Sequence, residues 1–271
     1  MKINRVLLVL TLLYGPSFSH LRPDLRIYGG KDADMEKFPF AVLMEYTTHK
    51  GVRTLKYDLF CSATALSSTW TLTSSHCIEN EYIVMLYERE SLFIRYNTTG
   101  ELQRKKIIKM ISNPNRPVYN GVPNDIALVK TDSIQLPFYA KLSSVDYTTL
   151  VGQEAILLGY GKTHTLYESD PGTNFTLKMM DVMLMKCKST PFTKLYLSLC
   201  TVPKCGVAEF ICPGDSGGTV LHSSGVIGVH FGGIRCSEKK NSPHFGRFNY
   251  ASISVPVSPY LDWIRSEITR D

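Results

Sequence analysis

Short segments in which apolar side chains dominate, or alternate with polar ones, recur along most of this 271-residue chain. They are rich in β-branched and aromatic residues, and clusters of Gly, Pro, Asn or Ser separate most of them. That pattern is typical of strands, and their spacing favours an all-β barrel or sandwich. The predicted strands cover residues 40–45, 92–96, 126–129, 154–158, 179–184 and 225–231.

The spacing of apolar residues changes at the end of the chain. Apolar residues there recur at helical spacing, which predicts an amphipathic helix over residues 258–268. Ser258 is a suitable N-cap and Pro259 suits the first turn. Residues 132–144 show little pattern, and we interpret them as a linker between two halves of the fold.

The first nineteen residues differ from the rest in composition. Lys2 and Arg5 give a basic start, an uncharged apolar stretch follows, and Ser-Phe-Ser at residues 17–19 matches a small-x-small cleavage site. This is the pattern of a secretory signal peptide, so we expect residues 1–19 to be removed and the protein to be secreted and extracellular. No later stretch approaches the roughly 18 apolar residues of a membrane helix.

Composition and charge narrow the function classes. Apolar residues make up 44% and charged residues 20% of the chain, which excludes the collagenous and disordered classes. The formal net charge is +6, but part of this excess comes from residues 1–26. An excess this weak does not predict nucleic acid or a membrane surface as a partner.

Seven cysteines stand at positions 61, 77, 187, 200, 205, 212 and 236. In an oxidising compartment most should pair, and the odd number leaves at least one thiol free or bonded to another chain. No Cys-x-x-Cys pair is present, so we expect no metal site. Asn97 and Asn174 begin Asn-x-Thr triplets and are candidate glycosylation sites.

Three segments carry residue types that perform catalysis. GDSGG at residues 214–218 combines a serine with glycines that let backbone N–H groups approach a substrate, although alone it could equally be a Gly-rich turn. His76 follows an apolar strand end and precedes a cysteine, whereas an isolated histidine is more often structural. Asp125 opens a buried-type strand, where an acid can also be a simple turn residue.

Together these segments resemble the trypsin/chymotrypsin family of serine proteases. The order of the His, Asp and Ser segments, their spacing and their flanking residues match that family. RIYGG at residues 26–30 is similar to the family's activation site, and VSPYLDWI at residues 257–264 is similar to its C-terminal helix entry. The resemblance covers residues 26–268, nearly the whole expected mature chain.

The resemblance implies an all-β fold of two antiparallel six-stranded β-barrels followed by a C-terminal helix. It implies a protease domain at residues 27–271, with the first barrel at residues 27–140, the second at residues 145–257 and the helix at residues 258–268. The reactive residues would meet in the cleft between the barrels.

The same resemblance implies a mechanism. Ser216 Oγ would attack the scissile carbonyl, His76 would act as general base and then as general acid, and Asp125 would orient His76. The backbone N–H groups of Gly214 and Ser216 would form the oxyanion hole. No cofactor is expected.

A route of activation is implied as well. Removal of the signal peptide would leave a propeptide at residues 20–26, and an upstream trypsin-like protease would cleave after Arg26. The new amine of Ile27 would then pair with Asp215, because a buried acid needs a partner. We therefore expect the chain to be made as a zymogen.

The family also implies three disulfides, each worth ~2–4 kcal/mol. They would join Cys61 with Cys77, Cys187 with Cys200, and Cys212 with Cys236. Cys205 is left over, either as a buried free thiol or as a link to another chain.

The expected specificity pocket departs from that of trypsin-like enzymes. Where those enzymes have an aspartate, this chain has Phe210, followed by Ile211. Phe231 and Gly232 are expected at the pocket mouth and Ser252 at its wall. Without the carboxylate we expect no preference for Lys or Arg. A ring at the base predicts a shallow apolar pocket, unless that ring turns into the core and leaves the pocket open.

We therefore predict an active secreted endopeptidase that acts on proteins or peptides, with protease inhibitors as further partners by resemblance. The alternative is a weak or inactive homologue that serves as a binding or regulatory module. The unusual Phe210 favours that alternative, and the complete set of reactive residues disfavours it. An esterase that uses the same serine fits the motifs less well.

Overall fold

A computed structural model describes residues 30–50, 54–98, 101–115, 124–161, 176–187, 197–204, 211–232 and 252–270. The expected signal peptide and propeptide lie outside the described residues. So do several predicted site residues, namely Arg26, Ile27, Asn174, Cys205, Phe210 and Cys236.

The first half of the chain forms a closed barrel. After the short strand β1 (Lys31–Asp32), the strands of this barrel are β2 (Ala41–Lys50), β3 (Thr54–Ala65), β4 (Trp70–Thr73), β5 (Leu92–Thr98), β6 (Glu101–Ser112) and β7 (Ala127–Thr131). Strands β2 to β7 close in the antiparallel order β2-β3-β4-β7-β6-β5. Val42, Leu72, Ile94 and Leu128 are fully buried in the core between these strands, as expected where apolar side chains of successive strands face one interior.

The second half forms another six-stranded barrel. Its strands are β8 (Glu154–Gly159), β9 (Lys178–Met185), β10 (Leu199–Pro203), β11 (Thr219–His222), β12 (Gly225–Gly232) and β13 (Ser252–Pro256). They follow the order β9-β10-β13-β12-β11-β8, and pairing of β8 with β9 closes the ring. Burial alternates residue by residue along β9, the signature of a strand with one face in a core. The predicted fold class of two antiparallel six-stranded barrels is confirmed.

The short first strand joins the start of the described chain to the second barrel rather than to the first. Strand β1 pairs with β9, with Asp32 opposite Lys178. Lys178 also forms an ion pair with Asp32, and Lys31 forms one with Asp181 at 2.8 Å. The segment that follows the expected cleavage site is therefore fastened to β9.

The helices are few and short. They are α1 (His76–Glu79), α2 (Glu81–Glu88) and α3 (Leu261–Thr269), with 3-10 turns at Tyr147–Leu150 and Ser258–Tyr260. The predicted C-terminal helix is present, but Ser258 does not cap it: this residue begins the 3-10 turn, and its Oγ accepts from the Tyr147 N–H at 3.4 Å. Within the described part of the chain, no helix has the length and apolarity needed to cross a membrane.

Candidate active site

His76 stands where the end of β4 turns into α1. A buried hydrogen bond stabilises this turn, in which Ser75 Oγ donates to the Ile126 carbonyl at 2.8 Å. The next residue, Cys77, is bonded to Cys61 of β3 by a disulfide. Strand, turn and disulfide together fix where the imidazole can lie.

Asp125 is delivered by an unusual backbone turn just before β7. Asn124 has a φ of 57°, in the left-handed region that asparagine tolerates better than most residues. Its side chain is held at both ends, since the Asn124 Nδ2 donates to the Asn115 carbonyl at 2.8 Å and the Tyr260 hydroxyl donates to Asn124 Oδ1 at 2.5 Å. The turn leaves Asp125 completely buried.

His76 contacts both oxygens of the Asp125 carboxylate. Its Nδ1 lies 2.6 Å from Oδ2, and its backbone N–H donates to Oδ1 at 2.8 Å. The aspartate side chain is fully buried, whereas the histidine side chain is 35% exposed and packs edge-on against the Phe231 ring. A carboxylate at Nδ1 favours the tautomer with the proton on that nitrogen and leaves Nε2 free to accept one.

Ser216 is half-buried in a turn that two positive-φ glycines shape. Gly214 has a φ of 99° and Gly217 a φ of 81°. A side chain at Gly217 would place its Cβ 2.2 Å from Thr73 Oγ1 and 2.3 Å from the Ser62 carbonyl, so only glycine fits. The turn thus presses against the first barrel, and the Ser62 N–H donates to the Ser216 carbonyl at 2.8 Å.

Asp215 is completely buried, in a small chamber formed by the residues around its carboxylate. Its oxygens accept from the Cys212 and Gly161 N–H groups, each at 2.7 Å. Two glycines lie close to the carboxylate: a Cβ at Gly159 or at Gly161 would lie 2.3 Å from one of its oxygens. Burial raises the pKa of Asp215 to about 7, although the two N–H groups act in the opposite direction.

The residues expected to line the specificity pocket divide into two groups. Ile211 is buried in the core of the second barrel, and Ser252 is fully buried with its Oγ 3.3 Å from His230 Nδ1 and 3.1 Å from Ser254 Oγ. A Cβ built on Gly232 would meet no atom of the described residues within 4 Å. Phe231 is partly exposed beside His76.

His230 was not anticipated from the sequence, yet it joins both halves of the site. Its carbonyl accepts from Ser74 Oγ at 2.7 Å and from the Gly217 N–H at 2.9 Å. Its ring is completely buried, which lowers the pKa to about 3, although the Leu158 carbonyl acts in the opposite direction. Because burial keeps the ring neutral near pH 7, we interpret it as a packed structural group and not as a second base. The feature of the sequence that could have indicated this residue is a single histidine inside the otherwise apolar strand β12.

The disulfides of the described residues lie where the resemblance implied them. Cys61 is bonded to Cys77, and Cys187 to Cys200. Cys212 is also disulfide-bonded, and its expected partner Cys236 lies outside the described residues. The first bond braces the His76 turn, and Cys212 anchors the segment that leads to Ser216.

Asn97, a candidate glycosylation site, has a partly buried side chain on β5. Its Oδ1 is buried and hydrogen-bonds to no described residue, and its Nδ2 lies 3.9 Å from Met35 Sδ. The amide that would carry a glycan is therefore turned towards the protein.

A sequence profile described as Trypsin matches residues 27–264 of this chain. The chain belongs to the trypsin family. Among curated proteins it is 27% identical to the CLIP domain-containing serine protease B9 of Anopheles gambiae, over 90% of this chain and 63% of that longer protein. It is 25% identical to a trypsin of Phaedon cochleariae, over 90% and 89% of the two chains.

A solved structure supports the same fold. The mouse brain serine protease neuropsin aligns with a TM-score of 0.62 at 18% identity, over 89% of this chain and 100% of that one. At this identity the likeness establishes the fold alone. Family membership by sequence assigns the class, and this trypsin-family chain is a serine-type endopeptidase, a hydrolase.

Proposed function

We propose that this trypsin-family chain hydrolyses peptide bonds with Ser216 as nucleophile, His76 as general base and acid, and Asp125 as the residue that orients His76. The double contact between His76 and Asp125 carries the proposal. Two hydrogen bonds from one residue to one buried carboxylate leave the imidazole a single orientation and a single favoured tautomer. Such acid–base catalysis contributes ~10²–10⁴-fold to a reaction rate.

The reaction would proceed through an acyl-enzyme. His76 Nε2 takes the proton of Ser216 as its Oγ bonds to the scissile carbonyl carbon, and the buried Asp125 stabilises the resulting imidazolium. His76 then donates that proton to the leaving amine as the peptide C–N bond breaks. A water molecule, deprotonated by the same Nε2, releases the acid product and restores the serine.

The backbone N–H groups of Gly214 and Ser216 are proposed to bind the oxyanion that forms in each half-reaction. The positive φ of Gly214 supports this role, because it permits a backbone orientation that residues with a side chain rarely adopt. Loss of one such donor costs roughly 10²–10³-fold in turnover.

The protein is proposed to be secreted through the signal peptide at residues 1–19 as a zymogen whose propeptide ends at Arg26. The strand register supports an approach of the new Ile27 amine to Asp215. Asp32 lies opposite Lys178, Lys178 lies opposite Gly159, and Gly159 touches the Asp215 carboxylate. An ammonium there would favour the ionised form of an acid that burial alone keeps largely protonated below neutral pH.

The substrate is proposed to be a protein or peptide with a small or medium apolar residue before the cleaved bond. Phe210 stands in place of the acid that would select Lys or Arg. Of the expected pocket residues that the structure describes, Ile211 and Ser252 are buried, and neither carries a carboxylate. Protease inhibitors and the upstream protease that cleaves after Arg26 are the other proposed partners.

The test is labelling with a fluorophosphonate before and after specific cleavage at Arg26, with Ser216→Ala as the control. We expect labelling of Ser216 only after cleavage, and a peptide-library digest should then show apolar rather than basic preference. A folded, correctly cleaved sample that does not label would overturn the enzyme assignment in favour of a binding module. Strong cleavage after Lys or Arg would overturn the specificity.

A further inference from the structure

One buried serine of the first barrel forms hydrogen bonds to the part of the chain around Ser216 through both its backbone N–H and its hydroxyl. Ser62 lies on β3, directly after the disulfide-bonded Cys61, and only 1% of it is exposed. Its backbone carbonyl accepts from Thr73 Oγ1 at 3.0 Å, a contact within its own barrel. Its N–H and its hydroxyl both reach across to the second half of the chain.

Those two groups hold the carbonyls of the two residues proposed to form the oxyanion hole. The Ser62 N–H donates to the Ser216 carbonyl at 2.8 Å, and the Ser62 Oγ donates to the Gly214 carbonyl at 2.8 Å. The two carbonyls flank Asp215 on either side. A single residue therefore fixes the turn at both ends of the segment whose N–H groups must converge.

The hydroxyl has a second partner that settles its direction. Ser62 Oγ accepts from the Tyr160 N–H at 2.9 Å, so its only proton is available for Gly214. Tyr160 stands between Gly159 and Gly161, the two glycines that enclose the Asp215 carboxylate. The same hydroxyl thus joins β3 to the oxyanion turn and to the chamber of the buried acid.

The hydrogen bond from Ser62 Oγ to the Gly214 carbonyl matters because of the backbone freedom of Gly214. A glycine at positive φ can rotate more freely than any other residue, and its own amide must keep one direction to stabilise an oxyanion. A bound carbonyl restricts that rotation.

We propose that Ser62 is a positioning residue of this protease, whose hydroxyl holds the Gly214 peptide in the orientation that the oxyanion hole requires. The inference rests on the proposed function of Ser216, Gly214 and His76. Ser62 touches no reacting atom, so its contribution is expected to be smaller than the roughly 10²–10³-fold of an oxyanion donor.

The test compares Ser62→Ala and Ser62→Gly with wild type after cleavage at Arg26. We expect kcat per titrated active site to fall about 10-fold with KM within twofold, because the lost orientation affects the transition state and not substrate binding. Affinity for a peptide boronic acid, which forms a tetrahedral adduct on the serine, should fall by the same factor as kcat/KM. Ser62→Thr, which keeps the hydroxyl, should recover most of kcat.

Thr64→Val is the matched control. Thr64 is on the same strand, is fully buried, and contacts the Thr219 hydroxyl across the same interface at 2.5 Å. We expect it to lower the urea midpoint as much as Ser62→Ala while kcat stays within twofold of wild type. Equal losses of kcat in the two variants, or unchanged boronic acid affinity in Ser62→Ala, would overturn the proposal. Absence of fluorophosphonate labelling in wild type would instead overturn the proposed function itself.

Discussion

The candidate site contains two completely buried aspartates, Asp125 and Asp215, and their surroundings differ in kind. Asp125 is completely buried and faces a partly exposed imidazole that contacts both of its oxygens. Asp215 is as deeply buried, but the groups that donate to its carboxylate are two backbone N–H groups. None of the ion pairs among the described residues includes Asp215. Among the described residues, the first acid has an ionisable partner and the second has none.

This difference suggests that the two aspartates have different functions. The Asp125 region is assembled by the first barrel, where the turn at Asn124 and the end of β4 bring two side chains into fixed contact. In the Asp215 region two glycines lie close to the carboxylate and burial raises its pKa, an environment consistent with the proposed pairing with the Ile27 amine. Catalytic readiness and activation would then depend on different acids.

The largest expected effect is on the Asp125 side. In the cleaved chain, Asp125→Asn should lower kcat by ~10⁴-fold, because the amide N–H favours the wrong imidazole tautomer. Steady-state hydrolysis of a peptide ester or amide measures this loss. Thermal unfolding should show that the variant is folded, and a loss of less than tenfold would contradict the assigned role of Asp125.

The second prediction concerns the pH dependence of the uncleaved chain. The folded pKa of Asp215, about 7, lies above the ordinary value of 3.8. Between these values the folded chain retains a proton that the unfolded chain has released, so the free energy of unfolding falls as the pH rises through this window. The loss contributed by Asp215 is on the order of 4 kcal/mol.

Asp215→Asn should remove that decline, because an amide does not titrate. Urea unfolding of wild type and variant at several pH values between 4 and 8 gives the difference, in which the other titrating groups cancel. The variant also loses some stability at every pH, since its NH₂ group faces a backbone N–H. Parallel pH curves for the two chains would show that Asp215 does not titrate in this range.

The third prediction tests the tightness of the Asp215 chamber. Gly161→Ala would place a Cβ 2.3 Å from Asp215 Oδ2, and the required shift should cost ~1–3 kcal/mol of folding stability. Gly232→Ala is the control, because no atom of the described residues lies within 4 Å of the added carbon; it should stay within about 0.5 kcal/mol of wild type. Equal unfolding free energies for the two variants would mean that the chamber can relax.

The sequence predicted the barrels better than it predicted their individual strands. All six predicted strands are present, because each shows the apolar or alternating pattern of a half-buried strand. Strand β6 was missed: its run of Arg and Lys suggests a solvated surface. In the structure, Arg104 pairs with the fully buried Glu45 at 2.7 Å and covers the Tyr57 ring. A pair 59 residues apart leaves no mark on local periodicity.

Contacts between residues far apart in sequence also explain which site residues could be predicted and which could not. His76, Asp125 and Ser216 lie in short motifs that can be read locally. Ser62 and His230 act through partners 152 and 156 residues away, at Gly214 and Ser74 respectively. Such contacts arise only when the two barrels meet, so no single segment of the chain indicates them.

The smallest effect is expected behind Asp125, at the hydroxyl that holds its turn. Burial raises the pKa of Tyr260 to about 12, so the group remains a donor to Asn124 Oδ1 throughout the neutral range. Tyr260→Phe should cost about 1 kcal/mol of folding stability. The same energy expressed wholly in catalysis would lower kcat by no more than ~5-fold.

Tyr139→Phe provides the comparison, because the Tyr139 hydroxyl donates to the Ile134 carbonyl at 2.6 Å and not to the Asp125 turn. Both variants should unfold at similarly reduced urea concentrations, and only Tyr260→Phe should lower kcat. If kcat is unchanged in both, the turn at Asn124 holds its strained backbone without help from the Tyr260 hydroxyl. Positioning of Asp125 would then be a property of the first barrel alone. Asp125 and its partner His76 would be held without the C-terminal segment, whereas Asp215 is contacted by two backbone N–H groups.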